Sequence, residues 1–240
     1  MKQGNARRSG FSLLEIAIVL LIVGALLASG VAGLTAQSTK NQRDKNQLYL
    51  ESIRDALVWY AKSRGRLPCP DTDGDGLGNL TGSACTKLVG VLPWKELEVP
   101  NDKGLDVWGN YFTYHIGEAY ASGAFQKETG TAADLACVIA SNKHCVIQIR
   151  ETEAAGTLLA EDVPAAVVSH GKNGLGRFRF VAAALVREPA DVETIANLPE
   201  RENANGVTEN ADAAKNIVYL RGAGDDMLIW LSQAALKSQP

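Results

Sequence analysis

Residues 10–15 read Gly-Phe-Ser-Leu-Leu-Glu, and residues 16–36 continue as IAIVLLIVGALLASGVAGLTA without a charge. A helix of about 20 apolar residues is long enough to cross a bilayer. The leader before this run carries three basic residues and no acid, which keeps it cytoplasmic by the positive-inside rule and places the rest of the chain on the exported side. The sequence therefore predicts a membrane-spanning helix that carries an exported domain.

Glu15 is the one charged residue between positions 11 and 39. A carboxylate inside an apolar helix costs about 3 kcal/mol and normally has a partner or a function. Two interpretations follow. Glu15 lies at the level of the lipid head groups and is tolerated there, or it pairs with a positive group that another subunit supplies.

The succession of Gly10, Phe11 and Glu15 before an apolar run resembles the processing site of type IV prepilins and type II secretion pseudopilins. The resemblance implies cleavage after Gly10 by the prepilin peptidase and N-methylation of Phe11. It also implies that Glu15 faces the Phe11 amine of a neighbouring subunit during assembly. An ordinary secretory signal has no acid at this place and ends in small residues. Residues 31–33, Val-Ala-Gly, keep a conventional signal peptide open as the alternative.

The same resemblance implies partners and a location. The partners are the prepilin peptidase, other pilin or pseudopilin subunits, the inner-membrane assembly platform, and membrane lipid before assembly. The location is the bacterial inner membrane, as a single-pass protein with a periplasmic C-terminal domain, and then the pilus or pseudopilus. With 24 basic and 27 acidic residues, the composition does not favour a nucleic-acid partner.

The apolar segment is followed by a polar segment that keeps helical periodicity. Its apolar residues recur at three- and four-residue steps, which predicts an amphipathic helix. The members of this stripe are Leu50, Ile53, Leu57 and Ala61. Gly65 suits a helix C-terminus and Pro68 prevents continuation, so one helix is expected from about residue 11 to about residue 63.

The predicted fold class is α+β and pilin-like. A long N-terminal helix, with a membrane half and an amphipathic half, packs on a C-terminal antiparallel β-sheet with long loops. The predicted parts are a leader (1–10), a transmembrane or filament-core helix (11–36), the amphipathic half of that helix (37–65) and a globular periplasmic domain (66–240). Strands are expected within residues 111–116, 146–149, 163–169 and 217–221. Residues 178–186 are a further strand candidate, although the three alanines at 182–184 leave a helix open, and residues 227–231 are apolar and expected to be buried. Residues 188–215 are expected to form an exposed polar excursion.

The chain has four cysteines, all on the predicted exported side, where disulfides persist. Four cysteines allow three pairings. Local pairing of Cys69 with Cys85 and of Cys137 with Cys145 is favoured because each pair brackets a short loop. A zinc site is the alternative, although no Cys-x-x-Cys is present.

Residues 71–79 read Asp-Thr-Asp-Gly-Asp-Gly-Leu-Gly-Asn. Acids at alternate positions with Gly at the sixth are typical of the start of a calcium loop. Position twelve, where a bidentate Glu belongs, is Gly82, so a Gly/Asp turn is the favoured interpretation.

Two C-terminal segments, residues 166–174 and 222–230, resemble the calcium-binding segments of the major pseudopilin. Residues 106–110, Asp-Val-Trp-Gly-Asn, are similar to the turn before its first strand. The resemblance implies a calcium site formed by Ser169, Asn173, Asp225 and Asp226. Asn173 stands where that family has Asp, and the neighbouring Lys172 would repel a cation. The alternative is a hydrogen-bonded loop.

No enzyme is expected. The sequence has no Gly-x-Ser-x-Gly, His-Glu-x-x-His or P-loop motif. Ser169 and His170 are neighbours on a predicted strand and point apart, so they do not form a catalytic dyad. The expected function is that of a filament subunit of a type IV pilus or a type II secretion pseudopilus, and its loop-rich domain favours a minor or tip-proximal subunit. An adhesin or ligand-binding module on a pilin scaffold is the alternative.

Overall fold

The computed structural model describes residues 12–99, 104–121, 125–126, 131–132, 147–151, 156–182, 184–191, 194–196, 198–205, 217–222 and 224–237. Within the first helix, the side chains of residues 26–36 are outside this description. The content of helix and strand is that of an α+β protein. The chain forms two compact units, Met1–Asp44 and Lys45–Pro240.

The helices are α1 (Leu13–Arg64), α2 (Glu118–Ala121), α3 (Leu198–Asn205) and α4 (Gln233–Leu236). The strands are β1 (Leu80–Thr81), β2 (Ala84–Cys85), β3 (Val89–Val91), β4 (Thr113–Ile116), β5 (Phe125–Gln126), β6 (Thr131–Ala132), β7 (Ile147–Glu151), β8 (Leu158–Ala160), β9 (Ala165–Ser169), β10 (Arg177–Val181), β11 (Ala184–Glu188), β12 (Ile217–Arg221) and β13 (Met227–Leu231).

None of the helices among the described residues combines the length and the apolar content that a membrane span requires. The prediction that residues 11–36 form a membrane half of α1 is therefore wrong for the described chain, and single-pass anchoring in the inner membrane is not supported.

The end of α1 follows from its sequence. Gly65 adopts a φ of 71° and donates its N–H to the Ala61 carbonyl at 2.8 Å. This left-handed conformation is common at helix C-termini and is easiest for glycine, which has no Cβ. Pro68 follows three residues later and cannot continue a helix.

The predicted stripe on α1 is confirmed. Its four residues are each at most 1% exposed. They belong to a core cluster that also contains Phe112, Tyr114, Val167 and Ile229. Because side chains on a strand alternate between two faces, these partners lie on one face of the sheet that contains β4, β9 and β13.

The main sheet has the order β13-β9-β4-β3, and all of its pairs are antiparallel. A second sheet has the order β12-β7-β8. There the prediction of an antiparallel sheet is wrong, because β12 pairs with β7 in parallel. Parallel strands need a crossover connection, and the long stretch of chain between β7 and β12 supplies it.

The two sheets share a second core cluster. Ile147, Ile149 and Tyr219 of the β12-β7-β8 sheet pack with Ala166 and Val168 of β9. The main sheet is therefore covered on both faces, by α1 on one and by the second sheet on the other. This double cover explains why all four residues of β4 are buried.

Replacement of Leu57 by Ala should lower the free energy of unfolding by about 2–5 kcal/mol, because Leu57 is fully buried and its loss leaves a cavity. Leu48 lies on the same helix and is 64% exposed. Leu48→Ala is the matched control and should change the free energy by no more than about 0.5 kcal/mol. Urea denaturation of both full-length variants measures the difference, and equal losses would show that the stripe does not hold the core.

Candidate functional site

The first described turns of α1 expose an unusual amount of apolar surface. Nine large apolar side chains between positions 13 and 23 are between 44% and 90% exposed. They are Leu13, Leu14, Ile16, Ile18, Val19, Leu20, Leu21, Ile22 and Val23. Because these positions are nearly consecutive, they surround the helix rather than form one stripe. A helix that is apolar all round is normally covered by other protein or by lipid.

Glu15 lies in the first turn of α1 and is exposed. A carboxylate in the first turn interacts favourably with the helix dipole by about 0.3–1 kcal/mol. Ser12 also supports this end, since its hydroxyl oxygen accepts a hydrogen bond from the Leu14 N–H at 3.3 Å. Gly10 and Phe11, the predicted processing residues, lie outside the described residues.

In the Lys45–Pro240 unit, a buried hydrogen-bonded chain joins α1 to the main sheet. The Asn46 side-chain amide donates to the Ser169 hydroxyl at 3.0 Å, and that hydroxyl donates to an Asp106 carboxylate oxygen at 2.7 Å. The other Asp106 oxygen accepts the N–H groups of Trp108 and Asn110 at 2.9 and 2.8 Å. Asp106 thus shapes the turn before β4 and receives the link from the helix.

The environment of Asp106 makes its negative charge costly. Burial raises the pKa of the Asp106 carboxyl above its ordinary value, although hydrogen bonds from Asn110, Ser169 and Trp108 act in the opposite direction. An acid whose pKa is higher in the folded state stabilises the fold less as pH rises through the interval between the unfolded and folded pKa values. The hydrogen bonds from Asn110, Ser169 and Trp108 therefore reduce the free-energy cost of burying the ionised Asp106 carboxylate, but they do not remove it.

The residues predicted to bind calcium do not meet around one point. Ser169 lies on the face of β9 that is turned toward α1, where it contacts Asn46 and Asp106. Asp226 faces the opposite side, where it accepts a hydrogen bond from the Asn203 side chain at 3.0 Å and lies 3.7 Å from the His170 ring. Successive strand residues point to opposite faces, which accounts for the separation.

Asn173 and Asp225 are brought together by hydrogen bonds. The Asn173 backbone N–H donates to Asp225 at 2.9 Å, and its side-chain amide donates to Glu200 at 3.0 Å. Its side-chain oxygen accepts the Leu175 N–H at 2.9 Å. The four predicted residues therefore belong to separate hydrogen-bonded networks, and the calcium site stays a prediction.

The turn at Gly171 is held in place by Asp225 and Asn110. Gly171 has a φ of 57°, and a Cβ at this position would lie 2.5 Å from the Asp225 carbonyl oxygen. The Asn110 side-chain amide donates to the Gly171 carbonyl at 2.7 Å. The loop after β9 is thus held by Asn110 on one side and by Asp225 on the other. Only glycine at position 171 leaves room for the Asp225 carbonyl oxygen.

Asp71, Asp73 and Asp75 form the one set of three His, Cys, Asp or Glu residues, within the part of the chain that the structure describes, whose ligand atoms all lie within 4.8 Å of one another. Asp71 is fully buried, and its two oxygens accept the N–H groups of Asp73, Gly74 and Gly76 at 2.7–3.0 Å. These hydrogen bonds explain the conformation of the loop as a Gly/Asp turn, which is the interpretation that the sequence favoured.

Cys69 and Cys85 form a disulfide that closes this loop over a separation of 16 residues. This is the pair that the sequence analysis favoured. Closure of a loop of this length stabilises a fold by about 3 kcal/mol in the chain-entropy model. Cys137 and Cys145 lie outside the described residues.

Sequence reasoning missed two residues of these networks, Asn46 and Glu200. Asn46 is four residues before Leu50, so it continues the apolar stripe as a polar member, and this irregularity is a signal that was available. Glu200 lies on α3 and is buried. Its segment is rich in polar residues and was predicted to be exposed, so nothing local distinguishes it.

Comparison of the chain with models of protein families, with curated proteins and with solved structures finds no match. The family resemblance therefore depends on the residues that carry it, at positions 10–15 above all. The geometry of the described residues has to support any function independently.

Replacement of Asn46 by Asp should place a second buried carboxylate beside Asp106. Burial and like charge raise the pKa of such a pair, so the variant should approach the stability of the wild type near pH 4 and lose about 3 kcal/mol by pH 7. Asn41, on the same helix, is exposed, and Asn41→Asp is the matched control. Urea denaturation between pH 4 and pH 7 measures the effect, and a loss that does not vary with pH would contradict it.

Proposed function

We propose that the chain is a structural subunit of a type IV pilus or a type II secretion pseudopilus. The observation that carries this proposal is the all-round apolar surface at the start of α1, directly after the prepilin-like residues 10–15. In the proposed assembly this surface packs against the equivalent helices of other subunits. The prepilin peptidase, the assembly platform and the other subunits are the proposed partners.

The energetics favour an assembly with many contacts. Full burial of a Leu, Ile or Val side chain contributes about 1.5–3 kcal/mol, so full burial of the nine side chains contributes roughly 14–27 kcal/mol. Association costs about 4–15 kcal/mol in lost freedom of motion. Burial of this surface offsets the cost of association, but because the hydrophobic effect is non-directional it does not fix the register of one helix against the next.

A charge pair supplies the register. Cleavage after Gly10 creates a positive amine on Phe11, four residues before Glu15. A carboxylate that enters an apolar helix bundle alone is strongly unfavourable, and a positive partner of a neighbouring subunit offsets that cost. Since each chain then offers one amine and one acid, the pair also selects one direction of stacking.

The disulfide supports a location outside the cytoplasm for the folded unit. Disulfides form and persist in oxidising compartments and are rare in the cytosol. Cys69–Cys85 joins the loop after α1 to β2. We place the Lys45–Pro240 unit on the exported side, where a minor or tip-proximal subunit of either filament would expose its loops.

Glu15→Ala should still be processed but should enter filaments at least about tenfold less than the wild type, because the Phe11 amine of a neighbour is left unpaired. Asp44→Ala removes an exposed acid from the same helix and is the matched control. The measurement is the amount of each variant in filaments sheared from cells that contain the assembly proteins. Incorporation of Glu15→Ala at the level of the wild type would contradict the proposal.

Gly10→Ala should leave an uncleaved precursor, because the resemblance to prepilins assigns the cleavage site to this glycine. A gel shift of ten residues reports the outcome. Gly24→Ala, within the apolar run, is the control and should be processed normally. Cleavage of Gly10→Ala at the rate of the wild type would rule out the prepilin-type site.

A further inference from the structure

The contact between the two sheets includes a polar pair, His115 of β4 and Tyr219 of β12. The His115 Nδ1 lies 2.9 Å from the Tyr219 hydroxyl, and the two rings pack edge to face with their centroids 5.8 Å apart. His115 is 1% exposed and Tyr219 is fully buried. Tyr219 also belongs to the second core cluster, in which the two sheets pack together. The pair therefore joins the main sheet to the second sheet in surroundings that exclude water.

The surroundings of His115 supply no negative charge. Among the residues that the structure describes, no ion pair includes this histidine. Its neighbours across the sheet are Val89 on β3 and Ala166 on β9, which cannot ionise. Its second ring nitrogen, Nε2, is enclosed without a hydrogen-bond partner. The charged group that acts on the ring is Arg187 of β11, and its charge has the same sign as that of an imidazolium.

These contacts favour the neutral ring over the protonated one. A protonated histidine donates from both ring nitrogens, so Nε2 would become a buried, charged donor without an acceptor. Burial raises the pKa of Tyr219, so its hydroxyl stays neutral and supplies no compensating charge. Burial and the positive charge of Arg187 lower the pKa of His115 from its ordinary value to about 3.

We propose that the His115–Tyr219 pair is a proton-sensitive contact that holds the second sheet on the main sheet. While the ring is neutral the contact persists, and uptake of a proton by His115 favours local unfolding of the β12-β7-β8 sheet, which admits water to Nε2. A three-stranded sheet needs its apolar face covered to keep its strand pairs. This contact lies within the Lys45–Pro240 unit and does not depend on the proposed filament function.

The main sheet should remain folded when the second sheet opens. The core cluster between α1 and the main sheet contains more buried residues than the cluster between the two sheets. Regions with fewer buried apolar contacts open at a lower free energy than the rest of a fold. Proton uptake at His115 therefore acts on the less stable of the two layers.

The direction of the pH effect follows from the pKa of His115. Because this pKa is lower in the closed state than in the open state, the closed state binds fewer protons. The closed state is fully favoured above about pH 6.5 and loses stability as the pH falls toward 3. Between pH 7.5 and pH 5 the equilibrium constant for opening should rise about 30-fold, because the open ring titrates near its ordinary pKa of about 6.5.

The test is hydrogen–deuterium exchange of the full-length chain at pH 7.5 and pH 5, with each amide rate divided by the intrinsic rate at the same pH. Amides of β7 and β12 should lose about 30-fold in protection at pH 5, whereas those of β4 should keep theirs. His115→Asn retains an acceptor for the Tyr219 hydroxyl but cannot carry a charge. This variant should abolish the loss of protection at pH 5.

Nuclear magnetic resonance of the wild type keeps the proposal testable if His115→Asn does not fold. The ring resonances of His115 in the closed state should not titrate between pH 7.5 and pH 5. Titration of this ring near pH 6.5 without a loss of protection in β12 would overturn the proposal. Equal losses in β4 and β12 would overturn it as well, because they would show global unfolding, and so would a pH effect that persists in His115→Asn.

Discussion

The contact between one stripe of α1 and one face of the β13-β9-β4-β3 sheet determines the arrangement of the folded unit. Leu50, Ile53 and Leu57 need an apolar surface, and alternate residues of three strands supply it. Asn46 continues the stripe as its polar member and binds Ser169, which binds Asp106. The helix therefore fixes which strand residues face it, and the alternate residues of β9, Ala166 and Val168, face the second sheet.

The sequence predictions that succeed concern features set by local rules rather than by long-range contacts. Helical periodicity identified the stripe and glycine chemistry identified the end of α1, because both depend on local physical rules. The strand at residues 217–221 was predicted with the observed bounds, whereas residues 227–231 were predicted only to be buried and form the strand β13. Residues 178–186 were read as one element but form the hairpin β10–β11, in which Ala182 has a φ of 48° that alternation of side chains does not reveal.

The residues predicted to bind calcium are divided between separate networks for a reason that sequence order hides. Ser169 and His170 are adjacent, and so are Asp225 and Asp226, but each pair divides between two faces or two loops. Polar residues that look like one ligand set become parts of separate networks. Long-range partners such as Asn46 and Glu200 complete those networks, and the pairing of β12 with β7 is equally non-local. The proposed filament function depends on the apolar start of α1.

The most direct test of this account is an intact mass measurement of the mature chain isolated from its native cells. The account predicts a chain that begins at Phe11, lacks residues 1–10 and carries one additional methyl group on the N-terminal amine. A chain that still begins at Met1, or one cleaved after Gly33 as a conventional signal peptide would be, would contradict it. The first result would leave Glu15 without its proposed partner, and the second would remove Glu15 from the mature chain.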